Sequence, residues 1–193
     1  MNVWPLLASI AIGYLLGNFQ TGLVVGWVSR KIDLRKHGSG STGATNALRT
    51  LGLASALITF LGDFAKGMLA SAIGLALAGE LGQLAASLCV VLGHVWPVFF
   101  RFHGGKGVSA SVGALILIAP VPVACCMVIS IALMALTRYV SLGNIVGETC
   151  FAVYALISGL SQGRYAFAIV STLVVALVVF SHRANIADRK SVV

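Results

Sequence analysis

The chain has 193 residues, of which 59% are hydrophobic and 9% charged, and its formal net charge is +8. Soluble domains carry about a quarter charged residues, so this composition excludes an ordinary soluble domain and favours a membrane protein. Several apolar runs reach the roughly 20 residues that are needed to cross a bilayer. The basic residues lie in loops beside these runs without interleaved aromatic residues, which favours contact with a membrane surface and argues against nucleic acid. We expect one polytopic helical domain over residues 1–193.

The first apolar run, Trp4 to Val28, predicts a membrane helix. It has no basic leader and no convincing cleavage site, so we expect it to remain in the mature protein. The next segment, Ser29 to Thr50, carries five Lys and Arg residues and one acid, Asp33. The positive-inside rule therefore places this segment in the cytoplasm and the N-terminus outside.

Within that segment begins a polar stretch, His37 to Gly52, which reads HGSGSTGATNALRTLG. Its glycines allow successive backbone N–H groups to point into one concavity, and a helix starting near Ala44 would add its positive end, as in anion sites. Dinucleotide and P-loop patterns both fail, because no strand precedes the loop and Ala44 replaces the P-loop lysine. We predict a phosphate-binding loop, with polar groups from Ser39, Thr45, Asn46 and Arg49.

The apolar run from Leu51 to Gly79 contains Asp63 and Lys66 near its middle. These two residues are three apart, so they share a helix face and can neutralise each other within the membrane. A short outer turn, Gly79 to Gln83, is predicted before a helix from Leu84 to Phe100 returns to the cytoplasm.

A second glycine-rich loop, Gly104 to Gly107, follows that helix and precedes another. Lys106 supplies a mobile cation there, and Ser109 lies close to the predicted helix start. Two glycine-rich cationic loops on one face favour a ligand with a phosphate group. His94, shortly before this loop, is predicted to be structural.

The run from Val108 to Leu136 allows two topologies. As one helix, it would place Arg138 outside together with the basic C-terminal tail. If Pro120 and Pro122 mark an outer turn, the run becomes a hairpin of two short helices and Arg138 returns to the cytoplasm. The hairpin satisfies the positive-inside rule. Its first helix, at about a dozen residues, is short for a full span.

Two further helices complete the prediction, Leu142 to Leu160 and Tyr165 to Ser181, with an outer turn at Ser161 to Arg164. The result is an all-α integral membrane protein with about seven transmembrane helices, the N-terminus outside and the C-terminus in the cytoplasm. Four polar segments then meet at the cytoplasmic face, around residues 38–49, 103–111, 138–148 and 181–190. One site at the membrane edge is therefore expected.

The last of these segments places His182, Asn185 and Arg189 on one face if the helix continues past its predicted end. His182 is a candidate general base or phosphate donor. Ser141 is a further hydrogen-bonding candidate, and Glu148 is expected near the interface without an assigned partner. The four cysteines lie in apolar segments without paired spacing, which indicates neither a metal site nor a disulfide framework.

Five segments, in this order, together resemble the bacterial acyl-phosphate-dependent glycerol-3-phosphate acyltransferases, membrane enzymes that make lysophosphatidic acid. They read GSGSTGATNALRTLG, GDFAKG, HVWPVFFRFHGGKGV, RYVSLGNI and HRANI. The resemblance implies seven membrane helices, an outer N-terminus and an active site on the cytoplasmic side of the bacterial inner membrane. Two features depart from the family pattern: Ser41 stands where asparagine is usual, and the tail ADRKSVV lacks the usual ending.

The same resemblance implies functional residues. The implied catalytic residues are Thr45, Ser141, His182 and Asn185. The implied substrate contacts are Ser39, Gly40, Arg49 and Lys106, and Asn46 joins them because it lies in the same dense polar pattern. The implied reaction moves a fatty acyl group from acyl phosphate to the 1-hydroxyl of glycerol 3-phosphate, without a cofactor or a metal.

The resemblance also implies a partner enzyme, and two alternative functions remain open. The donor implies a functional link to the enzyme that makes acyl phosphate from acyl carrier protein. An organic-anion or phosphate transporter is an alternative, although such proteins usually show internal repeats and a site near the midplane, and we find no repeat. A membrane lipid phosphatase is the other alternative.

Overall fold

The computed structural model describes residues 2–188, which form nine α-helices and two short 3-10 helices, Leu34–Lys36 and Val98–Phe100. The α-helices are α1 (Trp4–Asn18), α2 (Thr21–Arg30), α3 (Ala44–Leu51), α4 (Leu53–Val95), α5 (Val108–Ile116), α6 (Pro120–Thr137), α7 (Val140–Ser161), α8 (Tyr165–Ser181) and α9 (Arg183–Asp188). The all-helical fold expected from the sequence is confirmed.

The first apolar run is not the single helix that the sequence predicts. It is interrupted at Phe19 and Gln20, between α1 and α2. Buried side chains hold the interrupted backbone: Gln20 Nε2 donates to the carbonyl oxygen of Gly17 at 3.2 Å. Lys66 Nζ also donates to the carbonyl oxygens of Gly17 and Phe19. These bonds replace helical partners that a bilayer could not supply.

α4 is a helical hairpin, with a first arm over residues 53–77 and a second arm over residues 80–95. The backbone leaves the helical conformation at Ala78 and Gly79, and Gly79 has a φ of +61°, which glycine adopts without steric cost. Gln83 Nε2 donates to Ser71 Oγ at 3.2 Å. Twelve residues of a straight helix would separate these groups by about 18 Å. A turn is found where the sequence predicts one, but it consists of Ala78 and Gly79, and residues 80–83, which were predicted to lie in the turn, are helical.

The proline pair separates α5 from α6, so the hairpin topology is confirmed and a single helix from Val108 to Leu136 is wrong. α5 ends at Ile116, and Pro120 occupies the first position of α6, where its missing N–H has no helical partner to lose. With nine residues, α5 is too short to cross a bilayer alone.

Four segments of residues 2–188 are long and apolar enough to cross a membrane: Trp4–Arg30, Leu53–Phe100, Pro120–Thr137 and Val140–Ser161. The second of these contains both arms of α4, and α8 is a shorter apolar helix. The seven predicted segments thus correspond to the α1–α2 pair, the two arms of α4, α5, α6, α7 and α8.

α4 lies at the centre of the fold and packs against α1, α5 and α8. The buried ion pair predicted within it is confirmed, with Lys66 Nζ 2.9 Å from Asp63 Oδ1. At the hairpin turn, Glu80 pairs with Arg164 of the α7–α8 turn at 2.6 Å. The two predicted outer turns therefore lie at the same end of the molecule. α6 is peripheral, and most of its side chains are exposed.

Close packing of α5 on α4 depends on Gly113, since a Cβ there would collide with the backbone carbonyl of Phe64. We expect Gly113→Leu to lower the free energy of unfolding by about 1–3 kcal/mol, because the helices must separate. Ala132→Leu adds bulk to an exposed position of α6 and should change stability by less than about 0.5 kcal/mol. Thermal unfolding of both variants in detergent measures the difference, and equal stabilities would contradict this packing.

Candidate active site

The first glycine-rich loop is folded around Asn46, in the first turn of α3, whose side chain is 1% exposed. Its Nδ2 group lies 2.8–3.1 Å from three backbone carbonyl oxygens, those of Leu34, His37 and Ser41. Its Oδ1 accepts the backbone N–H of Ser39 at 3.0 Å. Asn46 was predicted to contact substrate, but its amide is committed to the loop backbone, so its position suits it to shape the loop.

A buried chain of hydrogen bonds joins this loop to the second glycine-rich loop. Thr42 Oγ1 donates to Gln20 Oε1 at 2.7 Å, and Gln20 Nε2 donates to the carbonyl oxygen of His94 at 3.2 Å. The same carbonyl accepts the backbone N–H of Gly105 at 3.1 Å. These buried hydrogen bonds fix the position of one loop relative to the other.

A cavity of about 270 Å³ opens between the two loops. From the first loop and α3 it is lined by Ser39, Thr45, Asn46 and Arg49. From the other predicted segments it is lined by Lys106, Ser141, His182 and Asn185. Gly40 is outside the lining and donates its N–H to the carbonyl oxygen of His37 at 3.1 Å. Arg189, predicted on the face of His182, lies outside the described residues.

Two short helices begin at the cavity wall. Ala44 and Thr45 open α3, and Val108 and Ser109 open α5, and all four residues line the cavity. The first N–H groups of a helix have no helical acceptor and carry a partial positive charge. Two helix N-termini therefore face the cavity in addition to the cations, as the sequence predicts for an anion site.

Several polar lining residues were not assigned to the site from the sequence, among them Asn144, Asp63 and His94. Asn144 follows Ser141 by three residues on α7, a spacing that could have indicated it. Asp63 and His94 reach the cavity only because α4 folds back, which no local pattern reveals. The structural role predicted for His94 agrees with its bond to Lys66 Nζ, at 2.8 Å from His94 Nδ1.

Lys106 connects the second loop to the end of α8 and to α9. Its Nζ donates to Asn185 Oδ1, and its carbonyl oxygen accepts from Ser181 Oγ at 2.8 Å. Burial, followed by the nearby charge of Arg49, lowers the pKa of Lys106 to about 8. Lys106 is therefore mostly protonated at neutral pH, and a bound phosphate would favour the protonated form further.

His182 follows α8 directly and is 1% exposed. Its Nδ1 lies 2.9 Å from the carbonyl oxygen of Val178, which can only accept, so Nδ1 carries the proton. Burial is the main cause that lowers the pKa of His182 to about 4, and the charge of Lys106 adds to it. At neutral pH the ring is neutral, and Nε2 is a hydrogen-bond acceptor and a potential base.

The opposite part of the cavity is apolar and is lined by α5, α6 and α7, with Val112, Met127, Ile131, Met134 and Val140. A smaller cavity of about 30 Å³ shares Val112 and Met127 with it and continues along α7. The two cavities together offer anion-binding groups at one end and a hydrocarbon surface at the other.

Glu148 lines the smaller cavity and is buried within the protein, while its position near the membrane interface stays a prediction. Its Oε1 accepts a hydrogen bond from Ser111 Oγ. This partner is 37 positions away in the sequence and could not be recognised from local spacing.

The fold and the cavity together define an all-helical integral membrane protein that can hold a phosphate group beside an apolar chain. A family model described as glycerol-3-phosphate acyltransferase matches residues 7–190. The chain belongs to this family.

Individual relatives cover most of the chain. A glycerol-3-phosphate acyltransferase of Thermoanaerobacter pseudethanolicus is 40% identical over 175 residues, 91% of this chain and 87% of the relative. The fold is similar to the crystal structure of PlsY (YgiH), an integral membrane glycerol 3-phosphate acyltransferase, in its glycerol 3-phosphate form. The TM-score is 0.86 and the identity 31%, over 94% of this chain and 90% of the other. The lysophosphatidic acid form of PlsY matches with a TM-score of 0.85, 30% identity and the same coverage.

The hydrogen bonds of Asn46 make a test of the loop that does not depend on activity. Asn46→Asp keeps the side-chain shape but places a carboxylate against three carbonyl oxygens. We therefore expect the free energy of unfolding to fall by about 1–3 kcal/mol and the loop to become mobile. Ser41→Ala removes only the 3.2 Å bond from the backbone N–H of Gly43 and should have a small effect. Hydrogen–deuterium exchange of residues 38–43 should quicken strongly in the first variant only. Unchanged exchange would contradict the central role of Asn46.

Proposed function

We propose that this protein transfers a fatty acyl group from acyl phosphate to the 1-hydroxyl of glycerol 3-phosphate, giving lysophosphatidic acid and phosphate. The observation that carries the proposal is the single cavity in which two glycine-rich loops, Arg49 and Lys106 face an apolar wall. Membership of the glycerol-3-phosphate acyltransferase family supports the acceptor. The crystal structures of PlsY include a glycerol 3-phosphate form and a lysophosphatidic acid form of that protein, which supports the acceptor and the product.

The acyl phosphate lies across the two parts of the cavity. Its phosphate sits over the first loop, at the backbone N–H groups and the N-terminus of α3, and its chain lies against α5, α6 and α7. α6 has the most exposed side chains of these helices, so the chain enters sideways from the bilayer beside it. Arg49 and Lys106 hold the phosphate of glycerol 3-phosphate and place its 1-hydroxyl beside the acyl carbon, which makes a bimolecular encounter a positioned one.

The chemical step needs no side-chain nucleophile, because acyl phosphate is already an activated mixed anhydride. The 1-hydroxyl oxygen bonds to the acyl carbon, and the bond from that carbon to the phosphate oxygen breaks. The proton of the hydroxyl goes either to His182 Nε2 or to an oxygen of the departing phosphate. Three residues that line the cavity would donate hydrogen bonds to the oxyanion, a contribution of roughly 3–4 kcal/mol per donor in other enzymes: Thr45, Ser141 and Asn185.

The site belongs to the cytoplasmic face of the bacterial inner membrane under this proposal. Four basic residues lie at the ends of helices next to the loops that form the cavity, as the positive-inside rule requires of a cytoplasmic surface. They are Arg30, Lys31, Arg101 and Arg138. A partner enzyme that makes acyl phosphate from acyl carrier protein would supply the donor from that side.

The proposal is tested with purified protein in proteoliposomes that contain glycerol 3-phosphate and one donor at a time: acyl phosphate, acyl-CoA or an acyl carrier protein thioester. Lysophosphatidic acid formed only from acyl phosphate is the expected result. Phosphate release without an acceptor would indicate a phosphatase, and flux of labelled glycerol 3-phosphate without product would indicate a transporter.

Two cations are expected to be essential for turnover. Arg49→Ala and Lys106→Ala should each lower kcat/KM for glycerol 3-phosphate at least about 100-fold, because charged hydrogen bonds to phosphate are lost. Arg164→Ala removes a cation at the opposite end of the molecule and should leave activity within about twofold of wild type. Near-normal activity in both site variants would contradict the assignment.

The pH profile follows from the pKa of Lys106, which is about 8. The protonated amine binds phosphate, so kcat/KM should fall above about pH 8, approaching tenfold per pH unit. His182 remains neutral down to about pH 4 and adds no loss between pH 5 and 8. Lys106→Arg keeps its charge throughout and should move the alkaline fall to higher pH. An unchanged alkaline limb in this variant would assign the fall to another group.

A further inference from the structure

A carboxylate lines the cavity that we propose to bind phosphate groups, although repulsion between like charges disfavours it there. Asp63, in the first arm of α4, is 1% exposed and lines the cavity. It is the one carboxylate among the described lining residues. A carboxylate beside two phosphates raises the free energy of their binding unless it is neutralised or has its own task.

The two oxygens of Asp63 have different surroundings. Oδ1 accepts a hydrogen bond from Thr21 Oγ1 at 3.0 Å and pairs with Lys66 Nζ at 2.9 Å. Among the described side chains, none donates a hydrogen bond to Oδ2, and Asp63 lines the cavity. Lys66 therefore neutralises the carboxylate and fixes its orientation, while Oδ2 presents an unused acceptor to the ligand.

An ionised carboxylate oxygen can only accept hydrogen bonds. Fully ionised phosphate groups have no hydrogen to donate, so they cannot form a hydrogen bond with Oδ2. Glycerol 3-phosphate carries two donors, its 1-hydroxyl and 2-hydroxyl groups. The cavity supplies two matching acceptors, His182 Nε2 and Asp63 Oδ2.

The two acceptors come from different parts of the fold, the first arm of α4 and the end of α8, so each can take a different hydroxyl. Oδ1 of Asp63 is occupied by Thr21 and Lys66, and Oδ2 can accept a hydrogen bond from a substrate hydroxyl. His182 Nε2 belongs to a neutral imidazole and can take the proton of the reacting hydroxyl.

We propose that Asp63 Oδ2 accepts a hydrogen bond from the 2-hydroxyl of glycerol 3-phosphate and makes the enzyme specific for an acceptor with that hydroxyl. Asp63 is thus a specificity-determining residue, and Lys66 is the positioning residue that aims it. This inference rests on the proposed function of the cavity as the glycerol 3-phosphate site. A buried acceptor left without its donor rejects analogues that lack the hydroxyl.

The test compares wild type and Asp63→Asn with two acceptors, glycerol 3-phosphate and 3-hydroxypropyl phosphate, which lacks the 2-hydroxyl. In Asp63→Asn the amide oxygen can keep Lys66 and Thr21 as donors, and the NH₂ group then replaces the acceptor that faces the cavity. Wild type should prefer glycerol 3-phosphate by about 10–100-fold in kcat/KM, as expected for a hydrogen bond to a charged group. The variant should lose most of that preference, with the loss falling on glycerol 3-phosphate and mainly on KM.

A purely structural role would lower kcat/KM for both acceptors by the same factor, and that result would overturn the inference. Thr21→Val is the matched control, since it removes the bond at Oδ1 and leaves Oδ2 in place. It should lower thermal stability but keep the preference. If Asp63→Asn does not fold, Asp63→Glu keeps the charge beside Lys66 and displaces the acceptor, and it should also lose the preference.

Calorimetric binding of the two acceptors without any acyl donor separates this inference from the proposed reaction. A preference for glycerol 3-phosphate that depends on Asp63 would support the inference even if acyl phosphate proved to be the wrong donor. Equal binding of both acceptors by wild type would overturn it even if acyl phosphate proved to be the right one.

Discussion

The bilayer core supplies no hydrogen-bond partners, so backbone groups left by an interrupted helix must be bonded within the protein. Lys66 bonds two such groups at the interruption after α1. Its ammonium group satisfies the carbonyl oxygens left by the interruption after α1, pairs with Asp63 and donates to His94 Nδ1. Leaving one partner of such a buried pair without the other costs about 3–5 kcal/mol. The interrupted first helix and the folded-back α4 thus depend on each other through one side chain.

The two glycine-rich loops depend on the same buried hydrogen bonds. The carbonyl oxygen of His94 accepts from Gln20, which reaches Thr42 in the first loop, and from Gly105 in the second. The loops are glycine-rich and polar, and such segments are mobile unless their backbone is bonded. Here the buried network removes that freedom before a ligand arrives. A preorganised arrangement of N–H groups needs little reorganisation when charge develops, which is how such groups contribute most to catalysis.

The features that the sequence predicted are those with a local physical cause. Proline cannot continue a helix, so the break at Pro120 was visible, and the three-residue spacing of Asp63 and Lys66 revealed their pair. Features created by long-range contact were missed. His94 meets Lys66 across 28 positions, and Glu148 meets Ser111 across 37. The interruption after α1 was missed for the same reason, because it contains neither glycine nor proline and is held by a lysine from another helix.

The charge balance of the proposed reaction explains why a site of this simple composition suffices. Acyl phosphate and glycerol 3-phosphate each bring a phosphate of about −1.5 to −2 charge. Lysophosphatidic acid and phosphate leave with about the same total. The cations Arg49 and Lys106 and the two helix N-termini therefore face nearly constant charge throughout, and the ion pair with Lys66 keeps Asp63 from adding to it. The total charge stays nearly constant but moves onto the acyl oxygen and the departing phosphate. The protein therefore contributes both alignment of the hydroxyl with the acyl carbon and donors for the developing oxyanion.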